Sequence, residues 1–291
     1  MTGVANPDPV RAGRPALVVK IDNVPAARPQ TGFNAADIVY EEIINDGYTR
    51  FAMVFQSGDA NPVGPIRSGR LQDVELFTSY NQPLFAWSGG NRTVTDAINA
   101  SDLINLGSLT SAGGSAYFRT TNRKAPHNLY ATTDALFART PLWHPPATQQ
   151  FQYRAVDAAP QGEPSRGVAV KLESINVRWT WDAAQGLYLR QMGGKDHLDA
   201  ATNSVVTTNN VVVLAVNYVP GISGSPDAQT IGDGEAFVFT GGNYIHAFWH
   251  RADKYTPISL VADDGSPVLL QPGRTFIELP RVDNTLPIAA E

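Results

Sequence analysis

Hydrophobic side chains follow two different periods along this 291-residue chain. Up to about residue 145, short apolar runs alternate with stretches in which apolar residues recur every three or four positions, as in strands followed by helices. Beyond residue 166, apolar and polar positions alternate with a period of two, which is typical of half-buried strands. The pattern predicts an α+β protein, with an N-terminal α/β domain at residues 15–145 and a mostly antiparallel β domain at residues 167–285.

Segments without periodicity separate and flank these two blocks. Residues 1–14 contain Pro7 and Pro9 and are predicted to be a flexible arm. Prolines also cluster around residues 146–166, which we interpret as the linker between the domains. Residues 286–291 are predicted to form a short tail.

Turn residues and apolar spacing place the individual elements. In the N-terminal block we predict a hairpin across Asn45-Asp46-Gly47 and a helix whose first residues are capped by Thr93. The predicted N-terminal strands are residues 16–21, 35–44, 48–56, 84–87 and 117–119, and the predicted helices are residues 71–80, 94–100 and 132–140. The predicted C-terminal strands are residues 177–182, 187–190, 210–216, 236–240, 244–249, 258–261, 268–270 and 275–279, with no helix among them.

The segment Gly64-Pro65-Ile66-Arg67-Ser68-Gly69-Arg70 is the strongest candidate for a functional site. Two arginines bracket Ser68, and the two glycines keep the backbone open to close contact. A turn that leads into a helix offers backbone N–H groups and guanidinium donors to an anion. We therefore predict that residues 64–70 form the rim of an anion-binding pocket.

Polar residues at other strand ends and loops would complete this pocket. The ligand-binding candidates are Asn23, Arg50, Arg67, Ser68, Arg70, Arg119, His127 and Asn128. The arginines would hold phosphate or carboxylate by forked hydrogen bonds, and histidine titrates near neutrality. A bland alternative stays open for each residue, because a lone arginine is usually a solvated surface residue and Asp22-Asn23 fits an Asx turn equally well.

One acidic residue and one histidine allow an alternative in which the protein is an enzyme. Glu41 would be the general base and His127 the general acid, with the arginines stabilising developing charge. An ion pair with Arg50 on the returning strand is, however, a sufficient structural reason for Glu41 or Glu42. The sequence contains no nucleophile elbow, phosphate-binding loop or complete dinucleotide motif, so it names no reaction.

Composition narrows the function classes further. The formal net charge of −5 argues against nucleic-acid binding, and the absence of cysteine excludes disulfides and cysteine zinc sites. His246 and His250 lie four residues apart on a predicted strand, roughly 13 Å, which is too far for one metal ion. Trp179, Trp181 and Trp249 are predicted to belong to the core, with a sugar-stacking platform as the lesser alternative. We predict no metal and no cofactor, and no apolar run reaches transmembrane length.

Several motifs, in the order found here, resemble those of one bacterial family. They are Lys20-Ile21-Asp22-Asn23, Ala27-Arg28-Pro29-Gln30-Thr31-Gly32, Ala36-Asp37-Ile38-Val39-Tyr40-Glu41, Thr49-Arg50-Phe51, the segment 64–70, Ala125-Pro126-His127-Asn128-Leu129-Tyr130, Asn210-Val211-Val212-Val213-Leu214, Gly232-Asp233-Gly234 and Pro272-Gly273-Arg274-Thr275-Phe276-Ile277. From about Arg14 to Pro280 the chain resembles the YerB-like family, whose members are described as lipoproteins of unknown function. Asn45 stands where a second family Glu is expected, which weakens any scheme that needs two carboxylates there.

The resemblance implies a lipid-anchored protein outside the cytoplasmic membrane, facing the cell wall. This sequence lacks a signal peptide and the lipid-bearing cysteine, so contact with a membrane is expected only through an anchor absent from it, and a cytoplasmic location stays open. We expect a cell-envelope protein that binds an anionic small molecule, a cell-wall fragment or a partner's acidic segment in an arginine-lined pocket. A hydrolase or transferase acting on an anionic glycan or phosphate ester, and a protein–protein adaptor working through the β domain, are the alternatives.

Overall fold

The structure is a computed structural model that describes the backbone of residues 1–289 and the side chains of residues 1–285. The described residues contain the helices α1 (Pro9–Gly13), α2 (Gln72–Thr78), α3 (Arg92–Asn99) and α4 (Thr133–Phe137), and the 3-10 helices Pro25–Ala27, Phe33–Ala35, Asn45–Gly47, Gly114–Ala116 and Ile222–Gly224. The N-terminal strands are β1 (Leu17–Asp22), β2 (Ile38–Ile43), β3 (Thr49–Phe55), β4 (Leu84–Ala86), β5 (Ile104–Asn105), β6 (Tyr117–Arg119) and β7 (Leu129–Ala131). The C-terminal strands are β8 (Glu163–Leu172), β9 (Ile175–Asp182), β10 (Leu187–Met192), β11 (Lys195–Asp196), β12 (Leu198–Asp199), β13 (Ser204–Val205), β14 (Thr207–Thr208), β15 (Asn210–Leu214), β16 (Tyr218–Pro220), β17 (Pro226–Ala228), β18 (Gly232–Thr240), β19 (Asn243–Arg251), β20 (Ser259–Ala262), β21 (Thr275–Leu279) and β22 (Thr285–Ala289).

Most of these strands belong to one mixed sheet. Its order is β11-β10-β9-β8-β19-β18-β15-β21-β2-β3-β1-β4-β5. Three further strands pair with members of this series: β14 with β10, β20 with β19 and β22 with β8. In the N-terminal half β1, β4 and β5 are parallel, and in the C-terminal half β8–β9–β10 and β15–β18–β19 are antiparallel. The predicted α+β class, with an α/β first half and a mostly antiparallel second half, is confirmed.

Strand β21 joins the two halves of the chain. It lies between β2 and β15 and runs parallel to both. The sequence predicts this strand but neither its neighbours nor its direction, because a short apolar run carries no signal of its partner. The boundaries predicted for the two domains stay a prediction about folding units, since the sheet itself continues across both.

The central strands are buried on both faces, which explains their unbroken apolar runs. On one face Phe51 and Trp179 pack against Phe276, with the Trp179 and Phe276 ring centroids 4.8 Å apart. On the other face α2 places Phe77 against Tyr40, at a centroid distance of 5.3 Å. The sheet thus separates two hydrophobic cores, and adjacent residues of one strand belong to different cores.

Some local predictions differ from the structure. Helix α3 begins at Arg92, and the side chain of Asn91, not that of Thr93, accepts the N–H of Val94 at 3.0 Å. Strand β8 starts at Glu163, within the stretch predicted as linker. Residues 268–270 do not form a strand, because Leu270 makes only an isolated bridge with Tyr153.

The two ends of the chain also differ from their predictions as arm and tail. Residues 9–13 form α1, and Arg11 and Arg14 ion-pair with Asp59 at 2.6 and 2.8 Å. Residues 285–289 form β22, which pairs with β8, and residues 290–291 lie outside the described residues. Along the part of the chain that is described, we find no helix with both the length and the hydrophobicity needed to span a membrane.

The tryptophans and histidines of the C-terminal half occupy ordinary structural positions. Trp179 and Trp249 are buried, and Trp181 packs on Tyr188, so the three rings do not form an exposed platform. The carboxylates of two acidic residues bind the His246 ring, while His250 bonds to an aspartate of the neighbouring strand. Among the described residues no group of three His, Cys, Asp or Glu side chains is placed to hold a metal ion.

Candidate functional site: an arginine cleft beside the central sheet

The segment 64–70 is held against the end of β1 by its backbone. Pro65 accepts the N–H of Asp22 at 2.9 Å, and Arg67 donates its own N–H to the carbonyl of Lys20 at 2.9 Å. Gly64 has φ of 153° and lies so close to Tyr130 that a Cβ atom would meet that ring at 2.6 Å. Glycine is required here for both reasons. The backbone contacts of the segment are therefore sufficient to hold it in position, without any contribution from its side chains.

A buried ion cluster fixes the other end of the segment. Asp73, in the first turn of α2, accepts the backbone N–H of Arg70 at 2.7 Å and binds the ammonium of Lys20 at 2.7 Å. Glu42 also ion-pairs with Lys20, and all three charged side chains are fully buried. Burial lowers the pKa of Lys20 to about 8, while Asp73 opposes this shift. The sheet, α2 and the segment are thus joined by one set of charge-assisted hydrogen bonds.

Three of the predicted arginines line one cleft with a volume of about 480 Å³. We call this space the arginine cleft. Its lining residues are Asn45, Arg67, Ser68, Gly69, Arg70, Ser88, Gly89, Gly90, Asn91, Val94, Leu109, Arg119, Pro126, Leu129, Ile222, Ser223 and Ser225. The structure therefore brings Arg67, Ser68, Arg70 and Arg119 together.

Arg50 lies behind Ser68, beneath the cleft. Its guanidinium donates through Nη1 to the carbonyl of Ser68 at 2.8 Å, and the residue is only 6% exposed. Within the described part of the chain no carboxylate lies within ion-pair distance of Arg50, and its Nε has no hydrogen-bond partner. Burial lowers the pKa of Arg50 to about 9, and the positive charge of Arg70 adds to the effect, while the more distant carboxylates of Asp22 and Asp73 oppose it.

The rim arginines are oriented by neutral groups more than by acids. Arg70 donates to Asn45 Oδ1 at 2.9 Å and to Ser225 Oγ at 3.1 Å, and Arg119 donates to Asn128 Oδ1 at 2.7 Å. Asn128 thus positions an arginine without lining the cleft itself.

A shared carboxylate connects His127 to the rim. Asp22 Oδ2 lies 2.7 Å from His127 Nδ1 and 3.2 Å from Arg67 Nε. Asp22 is buried, whereas His127 keeps about a fifth of its side chain exposed. His127 therefore lies behind the rim and is connected to Arg67 only through the carboxylate of Asp22, which both side chains contact.

Asn23 and Glu41 lie on the opposite face of the sheet, which corrects their predicted place in the pocket. Side chains alternate along β1 and β2, so Asp22 and Glu42 face the cleft while their neighbours face away from it. Asn23 donates to Glu41 Oε1 at 3.0 Å in the core opposite the cleft. The prediction missed this separation because both residues sit beside cleft-facing ones in the sequence.

The proposed acid–base pair is separated by the same alternation. Glu41 is fully buried, where it ion-pairs with Arg190 from the C-terminal half and lies beside Glu278. His127 is on the side of Asp22. Because the sheet stands between them, Glu41 and His127 do not share a cleft, and the geometry gives no support to their joint role in catalysis.

Two wall segments of the cleft were not predicted as site residues. One is the loop Ser88–Asn91 after β4, and the other is the tip of the hairpin formed by β16 and β17. A usable signal exists for the first, since ligands of α/β sheets bind outside the carboxyl ends of parallel strands and β1 and β4 are parallel. The hairpin comes from the distant C-terminal half and has no local signal.

Two family models match the chain in succession. The model "Protein of unknown function (DUF3048) N-terminal domain" matches residues 1–142, and "Protein of unknown function (DUF3048) C-terminal domain" matches residues 168–277. The chain belongs to this family. The resemblance to YerB-like proteins noted in the motifs is thereby confirmed.

Individual relatives agree with this assignment. The chain is 29% identical over 290 residues to the Bacillus subtilis (strain 168) protein named "Putative lipoprotein YerB", covering 96% of this chain and 85% of the relative. The crystal structure of YerB protein from Bacillus subtilis superposes with a TM-score of 0.85 and 24% sequence identity, covering 98% of this chain and 97% of the other. This chain and the Bacillus subtilis protein therefore share one fold over nearly their whole length. The family description leaves the function open.

Proposed function

We propose that the arginine cleft binds an anionic ligand, either a cell-wall component or an acidic segment of a partner, in a protein of the cell envelope. The envelope location is carried over from the name of the Bacillus relative, which calls that protein a lipoprotein. The single observation that carries the binding proposal is the convergence of Arg67, Arg70 and Arg119 on one cleft, with Arg50 beneath it.

The lack of acidic partners supports this proposal. Among the described residues, only Arg67 of these four arginines has a carboxylate within 4.0 Å. Of the four only Arg50 is buried, and because a buried charge without a counter-charge costs several kcal/mol, this arrangement is poor for stability alone. An incoming anion would complete it by forked, charge-assisted hydrogen bonds.

Thermal unfolding of the full chain with and without inorganic phosphate or citrate tests the proposal. A ligand at about 100 times its Kd adds ~2.7 kcal/mol to the free energy of unfolding, which raises Tm. Arg67→Ala is expected to lose this gain. Arg178→Ala is the matched control, because it removes an equal charge from an exposed position on β9. If no anion raises Tm, the cleft is not an anion site.

The structure bears differently on the two alternative functions, an enzyme and a protein–protein adaptor. The enzymatic alternative has no support in the geometry, since the sheet separates Glu41 from His127. The adaptor function stays a prediction; the outer face of β18–β20 exposes Phe248, which is 52% accessible, but nothing in the structure identifies a partner for it.

A further inference from the structure

We infer that the arginine cleft is built for the phosphate monoester group of its ligand, a dianion at neutral pH, and not for a carboxylate. The inference rests on the proposed function, because it names the charge and the shape of the anion that the same cleft would bind. Charge balance, donor geometry and volume each support it.

Positive charge exceeds negative charge around the cleft. The four arginines contribute four positive charges, and Asp22 offsets one of them through Arg67. Beneath them Lys20 lies between Glu42 and Asp73, a cluster with one net negative charge. Two positive charges therefore remain for the ligand, which match a dianion and exceed the charge of a carboxylate.

Other titratable groups change this balance little. Asp46 and Arg119 are both exposed, so water and salt screen both charges, but Arg119 lines the cleft whereas Asp46 is hydrogen-bonded to Asn45 and does not line it. Asp227 lies in an adjoining small cavity beside Arg70, and burial raises its pKa, which disfavours its charged form. His127 is bound to Asp22 and does not line the cleft.

The donors also approach from several directions. Arg67 and Arg70 flank Ser68 and Arg119 comes from β6, while Arg50 lies behind Ser68, outside the lining, and contributes only its charge. A carboxylate has two oxygens in one plane, and a single guanidinium can bind both. A phosphate monoester has three terminal oxygens in a tetrahedral arrangement, so it can accept from donors on three sides.

The cleft has room for more than the phosphate group. Its volume of about 480 Å³ lies within the ~300–1,000 Å³ of typical small-molecule sites. Val94, Leu109 and Ile222 form part of its wall. The arginines would therefore hold the phosphate while these apolar side chains contact the organic part of the ester.

Calorimetric titration of the full chain with ethyl phosphate and ethyl sulfate separates charge from shape. Both ligands carry the same alkyl group and three terminal oxygens. Ethyl sulfate has one negative charge at all pH values used, whereas a phosphate monoester acquires its second charge near pH 6. We expect ethyl phosphate to bind about tenfold more tightly at pH 7.5 and the two affinities to converge at pH 5.0. Because both ligands meet the same protein at each pH, any change in the charge of the protein affects both.

Two charge variants complete the experiment. Arg119→Gln removes one of the two excess charges and should reduce the affinity ratio to about threefold at pH 7.5, while Arg178→Gln should leave it near tenfold. Equal affinities of the wild-type protein for both ligands at pH 7.5, or an unchanged ratio in Arg119→Gln, would overturn the phosphate assignment and leave anion binding intact. Absence of binding by both esters and by inorganic phosphate would refute the proposed function itself.

Discussion

Glu41 and Glu42 are consecutive residues of β2, and their carboxylates are bound on opposite faces of the sheet, Glu41 by Arg190 and Glu42 by Lys20. The alternation of a strand explains this division. Glu41 ties the N-terminal half to the C-terminal strand β10, whereas Glu42 belongs to the cluster that supports the arginine cleft. One dipeptide therefore serves both the assembly of the two halves and the position of the candidate site.

Lys20→Met should destabilise the protein by about 3–5 kcal/mol, because it leaves Glu42 and Asp73 buried together without a counter-charge. The measurement is urea-induced unfolding at pH 7. Lys171→Met is the control: that lysine is exposed on β8, and its loss should change the free energy of unfolding by less than about 0.5 kcal/mol. Similar losses in both variants would contradict a special role of the buried cluster.

Glu278 should make the protein less stable as pH rises from about 4.5 to 8. Burial raises the pKa of Glu278 to about 8, and the carboxylate of Glu41 adds to the rise. Across this interval the native protein holds a proton that the unfolded chain has released, so unfolding is favoured increasingly as pH rises. The slope can reach ~1.4 kcal/mol per pH unit.

Glu278→Gln tests this dependence, since the amide stays neutral at every pH. The free energy of unfolding of the variant, relative to the wild-type protein, should increase between pH 5 and pH 8 in denaturant titrations. The comparison at each pH cancels the contributions of all other titrating groups. Two parallel curves would show that Glu278 is not protonated in the native protein.

Gly69→Ala should weaken both stability and anion binding. A Cβ atom at this position would meet the ring of Trp87 at 2.9 Å and the Ile98 side chain at 3.3 Å, both in the packed core. Overpacking of this kind costs about 1–3 kcal/mol and would displace the backbone between Ser68 and Arg70. Gly13→Ala is the matched control, because nothing lies within 4 Å of its Cβ, and in α1 it should be neutral or slightly stabilising. Equal behaviour of the two variants would argue against this account.

Local sequence was sufficient to predict the β2–β3 hairpin, the segment 64–70 and the position of most strands. These features depend on turn residues and on apolar periodicity within a few positions. The partners of the charged residues could not be predicted in the same way. Arg190 appeared as one polar residue of an alternating strand, yet it ion-pairs with Glu41 across 149 positions of sequence.

The candidate site shows the same limit. Arg67, Ser68 and Arg70 are neighbours in sequence, so their shared location followed from one motif. Asn23 was misplaced because a one-residue step along a strand moves a side chain to the other face of the sheet. Ser225 reaches Arg70 only through the packing of the β16–β17 hairpin, which no local pattern specifies.

Arg50→Met should stabilise the ligand-free protein and abolish its response to anions. Arg50 is nearly buried and has no carboxylate partner among the described residues, so an apolar side chain of similar length removes a desolvation cost. We expect a gain of about 1 kcal/mol in denaturant titrations without ligand, reduced by the lost hydrogen bond to Ser68. Inorganic phosphate should then leave Tm unchanged.

Arg190→Met provides the contrast for this last variant. Arg190 is also a buried arginine, but it is bound to Glu41, and its removal leaves that carboxylate without a counter-charge in the core. It should therefore cost about 3–5 kcal/mol, opposite in sign to Arg50→Met. If both substitutions destabilise the protein alike, Arg50 contributes to folding in the absence of ligand, and its unpaired charge is no sign of an anion site. If the two substitutions change the free energy of unfolding in opposite directions, Arg50 lowers the stability of the ligand-free protein. This is expected of a residue whose role is to bind a ligand.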